Sequence, residues 1–187
     1  MEPTGLVLFG RAYHLCSRLG GVQAALLFSF ASSGCVDSTG PPHPLIVETD
    51  FALSLGIDLE EMTRIGAGVY VQDTISGTGT KVDVHHSVSF AYDLFLPDGR
   101  RVLRREGAHF VTGCRQVVSG LETGIRGMRV GGTRLIVVPP RMGYGEEPPW
   151  LVEVPPYAIL VYFVELRDSR SVTERERPCA AAPSVAP

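Results

Sequence analysis

The stretch GLETGIRGMRVGGTRLIVVPP, residues 120–140, constrains the fold most, because it joins a helical pattern to a strand pattern without a spacer. Five apolar side chains in and just before it fall at helical spacing on one stripe: Val117, Val118, Leu121, Ile125 and Met128. Gly131 and Gly132 favour the end of a helix. TRLIVV is rich in β-branched residues, and Pro139 and Pro140 end that strand because proline cannot donate to a ladder. The stretch therefore predicts a short helix that turns back at once into a strand.

Strand patterns lie on both sides of this unit. VYVQDTI alternates and is β-branched, and AILVYFVEL, residues 158–166, is typical of a buried strand. HSVSFAYDLFL places four side chains on one face: Val88, Phe90, Tyr92 and Leu94. PDGR, residues 97–100, indicates a turn, and the basic segment after it lacks alternation and is expected to be irregular. Strands, one helix and strands in this order predict an α+β fold, an antiparallel sheet packing one face on a single helix.

The N-terminal segment resembles a signal peptide. Arg11 and Arg18 precede an apolar run at residues 22–31, and small residues follow it before Cys35. The apolar run is about half as long as a helix that spans a bilayer, so a transmembrane helix is the poorer interpretation. We therefore predict export to the periplasm or cell envelope.

The end of that segment, SSGC, resembles the lipobox of a bacterial lipoprotein, in which the cysteine is acylated. Gly34 fits that motif, whereas Ser32 stands where the motif prefers leucine. Lipidation of Cys35 would associate the chain with a membrane. The alternatives are an ordinary cleavable signal and a misassigned start codon.

The 187 residues suit one globular domain with additional segments. Composition and hydrophobic patterning predict five segments: a signal-like segment (1–34), a Pro-rich tether (35–48), a lead-in segment (49–67), the folded domain (68–168) and a disordered tail (169–187). Within the lead-in segment, a short helix is expected near residues 59–63.

Charge and composition narrow the function classes. A formal net charge of -3 and a pI near 5.9 give no basic footprint, so we expect no nucleic-acid partner. The four cysteines have no C-x-x-C spacing, which argues against a zinc cluster or a redox motif and leaves one structural disulfide open. Three histidines fit surface positions better than metal sites: His85, His86 and His109.

VVSGLETGIRGMRVGGTRLIVVPPRMGYG, followed by VPPYAILVYFVEL, closely resembles the FKBP-type peptidyl-prolyl cis–trans isomerase family. Six blocks between residues 68 and 168 agree in order and spacing, from the DG turn to the V-P-P-x-A-x-L-V strand. The resemblance implies a twisted antiparallel sheet around one short helix, with an apolar pocket between them. It further implies rotamase activity on proline-containing polypeptides, here during the folding of exported proteins. We expect a monomer that needs no metal or other cofactor.

The resemblance assigns the site residues by motif position. The implied catalytic residues are Tyr92, Val118 through its backbone N–H, and Tyr144, whose hydroxyl would donate to a substrate carbonyl. The implied substrate-binding residues are Val102, Phe110, Val117, Leu121, Val154 and Tyr162. Leu121 stands where most members have tryptophan, and Ala108 and Val102 replace further aromatics. These departures predict a wider pocket, weaker activity and weak binding of macrolides such as rapamycin.

Three alternatives stay open at this level. The chain could be a non-catalytic module that binds polypeptides as a chaperone. Trp150 could pack in its loop or reach over the pocket. The arginines after the DG turn could be a solvated hairpin or a patch for acidic clients or phospholipid head groups: Arg100, Arg101, Arg104 and Arg105.

Overall fold

The computed structural model describes residues 44–150, 153–176 and 179. The predicted signal segment and Cys35 lie outside these residues. The described part contains six strands and one α-helix: β1 (Thr63–Ile65), β2 (Val69–Ile75), β3 (His86–Phe95), β4 (Arg101–Val111), α1 (Ser119–Ile125), β5 (Thr133–Val138) and β6 (Leu160–Ser171). No helix in these ranges is long and apolar enough to cross a membrane.

The strands form one sheet in the order β1-β2-β5-β6-β3-β4, and all neighbouring strands are antiparallel. The main core lies between one face of this sheet and α1. Phe90, Leu94 and Leu121 are buried there, as the alternation in β3 and the apolar stripe of the helix predicted. The α+β prediction is therefore confirmed.

The helix is shorter than its apolar stripe suggested. It ends at Ile125, and Gly127 then turns the chain with a φ of 85°, a left-handed value that glycine adopts without strain. Met128 is buried beyond the helix end, so the stripe continues into the turn.

The segment predicted to be irregular after the DG turn is strand β4, so that prediction is wrong. β4 lies at the edge of the sheet and is exposed at most positions, which removes the alternation of apolar and polar residues. Its ladder with β3 also shifts between Phe90 and Tyr92, where Glu106 and Gly107 together stand opposite Ala91. This extra residue reverses the alternation within the strand, and no periodic pattern survives in the sequence.

The predicted helix near residues 59–63 is also wrong. Asp58 forms a turn there, in which its Oδ1 accepts the Glu60 N–H at 2.9 Å and its carbonyl accepts the Glu61 N–H at 3.2 Å. The chain then enters β1, which pairs with β2.

The segment before residue 68 belongs to the folded unit. It buries Ile46, Leu55 and Met62 in a second apolar cluster on the other face of the sheet. The sheet contributes Leu135, Val137 and Val161 to this cluster, and Ile159 joins it from the position directly before β6. The predicted boundary at residue 68 is therefore too late, because β5 and β6 are apolar on both faces and need a cover on each.

The folded unit also ends later than residue 168. β6 continues to Ser171, Val172 is buried, and Cys179 forms a disulfide with Cys114. The described part of the predicted disordered tail is thus attached to the domain by a strand, an apolar contact and a covalent bond.

Candidate active site

A cavity of about 440 Å³ opens between the start of α1 and the inner face of the sheet. Its walls are formed by Tyr92, Arg115, Gln116, Val117, Val118, Leu121, Tyr144 and Tyr162. They include all three predicted catalytic residues and, of the predicted substrate-binding residues, Val117, Leu121 and Tyr162. The structure thus brings these six together around one space.

The other three predicted substrate-binding residues are not on the cavity wall. Phe110 is buried in the core, where its ring packs edge-on against Phe90 with centroids 5.6 Å apart. Val154 is buried in the same core, and Val102 packs against it from a half-buried position. A direct contact of these three side chains with a substrate stays a prediction.

Two tyrosines from neighbouring strands form an aromatic wall. Tyr92 on β3 and Tyr162 on β6 have ring centroids 5.7 Å apart. Burial, with a smaller effect of Tyr144, raises the pKa of the Tyr92 phenol, and the positive charge of Arg105 acts in the opposite direction. Burial also raises the pKa of Tyr162 well above its ordinary value, and the nearby Tyr144 phenol adds to this rise. Tyr92 and Tyr162 are therefore protonated hydrogen-bond donors at neutral pH.

The loop of residues 112–118 holds one wall of the cavity in place. The Gly113 N–H donates to Oε1 of Glu122 at 2.6 Å, so that a carboxylate of α1 reaches back to the loop. Oε1 of Gln116 accepts the Val111 N–H at 2.8 Å and ties the loop to the end of β4. Each bond joins the loop to a neighbouring element, α1 or β4, and such side-chain bonds are not indicated by sequence periodicity.

Val118 lies at the junction of this loop with α1. Its backbone is extended, with a φ of -57° and a ψ of 139°, and its carbonyl accepts the N–H of Leu121 at 3.0 Å. Within the described ranges its own N–H donates to no acceptor. Because it borders the cavity, this N–H is available to a substrate carbonyl.

Most arginines of the DG hairpin are neutralised by carboxylates. Arg100 lies 3.3 Å from Glu153, and Arg101 and Arg104 each lie 3.6 Å from Asp93. This pairing favours the solvated hairpin over a free basic patch. Arg105 differs, because its positive charge acts to lower the pKa of the Tyr92 phenol.

Sequence reasoning missed Arg115 and Gln116 as residues of the cavity wall. They directly precede the Val117–Val118 pair, and this adjacency was the one signal that could have indicated them. Trp150 has 90% of its surface exposed and is not among the lining residues, so it neither packs in its loop nor covers the cavity.

A strongly paired antiparallel sheet packed on one short helix, with a tyrosine-walled cavity at the helix start, defines an FKBP-like α+β domain. The family model described as "FKBP-type peptidyl-prolyl cis-trans isomerase" matches residues 74–167. The chain belongs to this family, as its motifs indicated.

Individual relatives agree with this placement. An FK506-binding protein of Neisseria meningitidis is 31% identical over 103 residues, 53% of this chain and 94% of the relative. A 46 kDa FK506-binding nuclear protein of Spodoptera frugiperda is 34% identical over 115 residues, 58% of this chain and only 27% of the relative's length. The crystal structure of a peptidyl-prolyl cis-trans isomerase from Pseudomonas syringae superposes with a TM-score of 0.53 at 26% identity, covering 59% of this chain and 82% of that one.

Proposed function

We propose that this chain is a peptidyl-prolyl cis–trans isomerase that acts without covalent chemistry in the cavity at the start of α1. The observation that carries the proposal is the meeting of Tyr92, Tyr144 and the free Val118 N–H around one space floored by Leu121. The family membership gives the reaction class.

The reaction needs what this cavity offers. Rotation about an amide bond has a barrier of about 18–20 kcal/mol, because resonance gives the C–N bond double-bond character. Resonance is lost in the twisted transition state, so charge separation between oxygen and nitrogen falls. An apolar floor favours this less polar state over the planar amide. Hydrogen bonds from the Val118 N–H and a phenol hold the flanking chain while the bond turns.

Removal of the Tyr144 hydroxyl tests the assignment. A neutral hydrogen bond contributes about 0.5–1.5 kcal/mol. We therefore expect Tyr144→Phe to lower kcat/KM for a proline peptide by about two- to tenfold, measured in a protease-free isomerisation assay. Tyr157→Phe is the matched control, since Tyr157 does not line this cavity. Equal losses in both variants, or no activity in the unmodified chain, would contradict the proposal.

The pocket floor gives a second prediction, with the opposite sign. Leu121 is buried and lines the cavity where most family members have tryptophan. An indole there would add apolar contact area. Leu121→Trp is therefore expected to raise kcat/KM several-fold and to strengthen macrolide binding, which we propose is weak in the unmodified chain. Unchanged kcat/KM together with an unchanged fold would argue against Leu121 as the floor.

A polypeptide-binding module without catalysis is the second candidate. Its contacts with an unfolded chain would be made by exposed apolar side chains such as Trp150 and Leu53, which have 90% and 99% of their surfaces in solvent. Refolding of a proline-limited substrate separates the two functions. Catalysis that disappears in Tyr92→Ala and Tyr144→Ala supports the enzyme, whereas protection from aggregation that survives them supports the binding module.

We also propose that the chain acts as a monomer on exported proteins, in the periplasm or cell envelope. The Cys114–Cys179 disulfide supports this location, because disulfides persist in oxidising compartments. Signal cleavage and lipidation of Cys35 are tested by mass spectrometry of the mature N-terminus from the native host. An intact Met1 would exclude both.

A further inference from the structure

Arg115 places a cation without a carboxylate partner at the cavity. It is exposed and lines the space beside Gln116 and Val117. In the described part of the chain it forms no ion pair and no hydrogen bond, whereas Arg101 and Arg104 of β4 are paired with Asp93. An unpaired cation that borders a binding cavity is available to a charged group of the ligand.

The backbone around Arg115 is fixed on both sides. Cys114 is bonded to Cys179, and the Gln116 side chain accepts the Val111 N–H. Arg115 itself has a φ of 51°, in the left-handed region that residues other than glycine rarely adopt. The disulfide and the Gln116 hydrogen bond therefore fix the backbone at Arg115, so that its Cβ stays beside the cavity.

The remaining charges at the cavity have the same sign. None of the described lining residues is a carboxylate, and the positive charge of Arg105 acts on the Tyr92 phenol of another wall. The carboxylate of Glu122 on α1, which reaches back to this loop, accepts the Gly113 N–H and lies 3.8 Å from Arg126. The cavity is thus locally positive in a chain whose net charge is -3.

We propose that Arg115 is a specificity residue that makes the site prefer polypeptides with an acidic residue directly flanking the proline. The inference rests on the proposed function of the cavity. The carboxylate of a flanking Asp or Glu lies within a few ångströms of the proline ring, and an arginine side chain spans that distance. Exposure of Arg115 limits the gain, since ion pairs in contact with solvent are weak.

The experiment compares peptides that are matched except for one charge. Glu-Pro is set against Gln-Pro, and Pro-Glu against Pro-Gln, in both kcat/KM and dissociation constant. We expect at least one pair to favour the acidic peptide about two- to fivefold at low ionic strength. The preference should disappear in 1 M NaCl, where the Debye length is about 3 Å.

Variants of Arg115 connect this preference to the residue. Arg115→Gln keeps a side chain that is unbranched at Cβ at the left-handed position and should equalise the two peptides. Arg115→Glu should reverse the preference, so that a Lys-Pro peptide is favoured over Glu-Pro. Arg64→Gln is the control, because Arg64 is an exposed arginine of β1 that lines a separate cavity, and it should keep the acidic preference.

The outcomes separate this inference from the proposed function. Turnover of Gln-Pro without an acidic preference would overturn the role of Arg115 and leave the isomerase in place. A preference that persists in Arg115→Gln would do the same. Absence of all turnover, with Glu-Pro bound more tightly than Gln-Pro through Arg115, would support the specificity and contradict the enzyme.

Discussion

Reduction of the Cys114–Cys179 bond is expected to lower the free energy of unfolding by about 4 kcal/mol. The two cysteines are 65 residues apart, and closing a loop of that length removes a large amount of conformational entropy from the unfolded chain. The loop contains α1, β5 and β6, so the bond constrains nearly half of the folded domain. Urea denaturation of the oxidised and reduced protein measures the difference.

The control for this prediction uses the remaining cysteines. Cys16→Ser with Cys35→Ser removes the other thiols and should leave the effect of reductant unchanged. Cys179→Ser should match the reduced protein and should not respond to reductant at all. Identical unfolding midpoints with and without reductant in the Cys16→Ser, Cys35→Ser protein would mean that the bond adds nothing to stability.

Gly120→Ala is expected to destabilise the domain by about 2–3 kcal/mol. A Cβ at Gly120 would lie 2.2 Å from Cγ1 of Val138, a side chain of β5 that is fully buried. It would also lie 3.0 Å from the Met142 carbonyl, so the neighbours on two sides must move. Overpacking of this kind costs about 1–3 kcal/mol or more and outweighs the higher helix propensity of alanine.

The chain offers a matched control for this substitution. Gly107 in β4 has open space where a Cβ would be, and Gly107→Ala should change stability by no more than about 0.5 kcal/mol. Isomerase activity should fall with Gly120→Ala, since the displaced helix carries Leu121 in the cavity wall. Equal denaturation midpoints for the two glycine variants would show that α1 tolerates a greater distance from β5.

Local sequence patterns predicted much of the fold. The helix start, the turn at PDGR and strands β2, β3 and β5 were predicted because each is encoded by side-chain periodicity or by turn residues within a short segment. β4 was missed because the bulge opposite Ala91 reverses its alternation halfway along the strand. The cover formed by Ile46, Leu55 and Met62 was missed because scattered apolar residues in a loop have no period.

For the candidate site too, the sequence predicted some features and not others. Motif matching predicted that Tyr92, Val118 and Tyr144 share one pocket, because the spacing between blocks of a known family is itself positional information, and all three line the cavity. It did not show that Phe110 and Val154 lie in the core, because burial depends on packing between β4, the segment that connects β5 to β6, and the rest of the sheet.

The sequence by itself determined α1, the strands with clear periodicity, the α+β class and the family, since these follow from periodicity and motif order along the chain. Only the tertiary structure decided that Cys114 meets Cys179, that Arg101 and Arg104 pair with Asp93, and that Arg115 has no carboxylate partner among the described residues. Such pairings depend on where segments that are distant in sequence come to lie. The left-handed backbone at Arg115 is likewise not indicated by the residue types at and around that position.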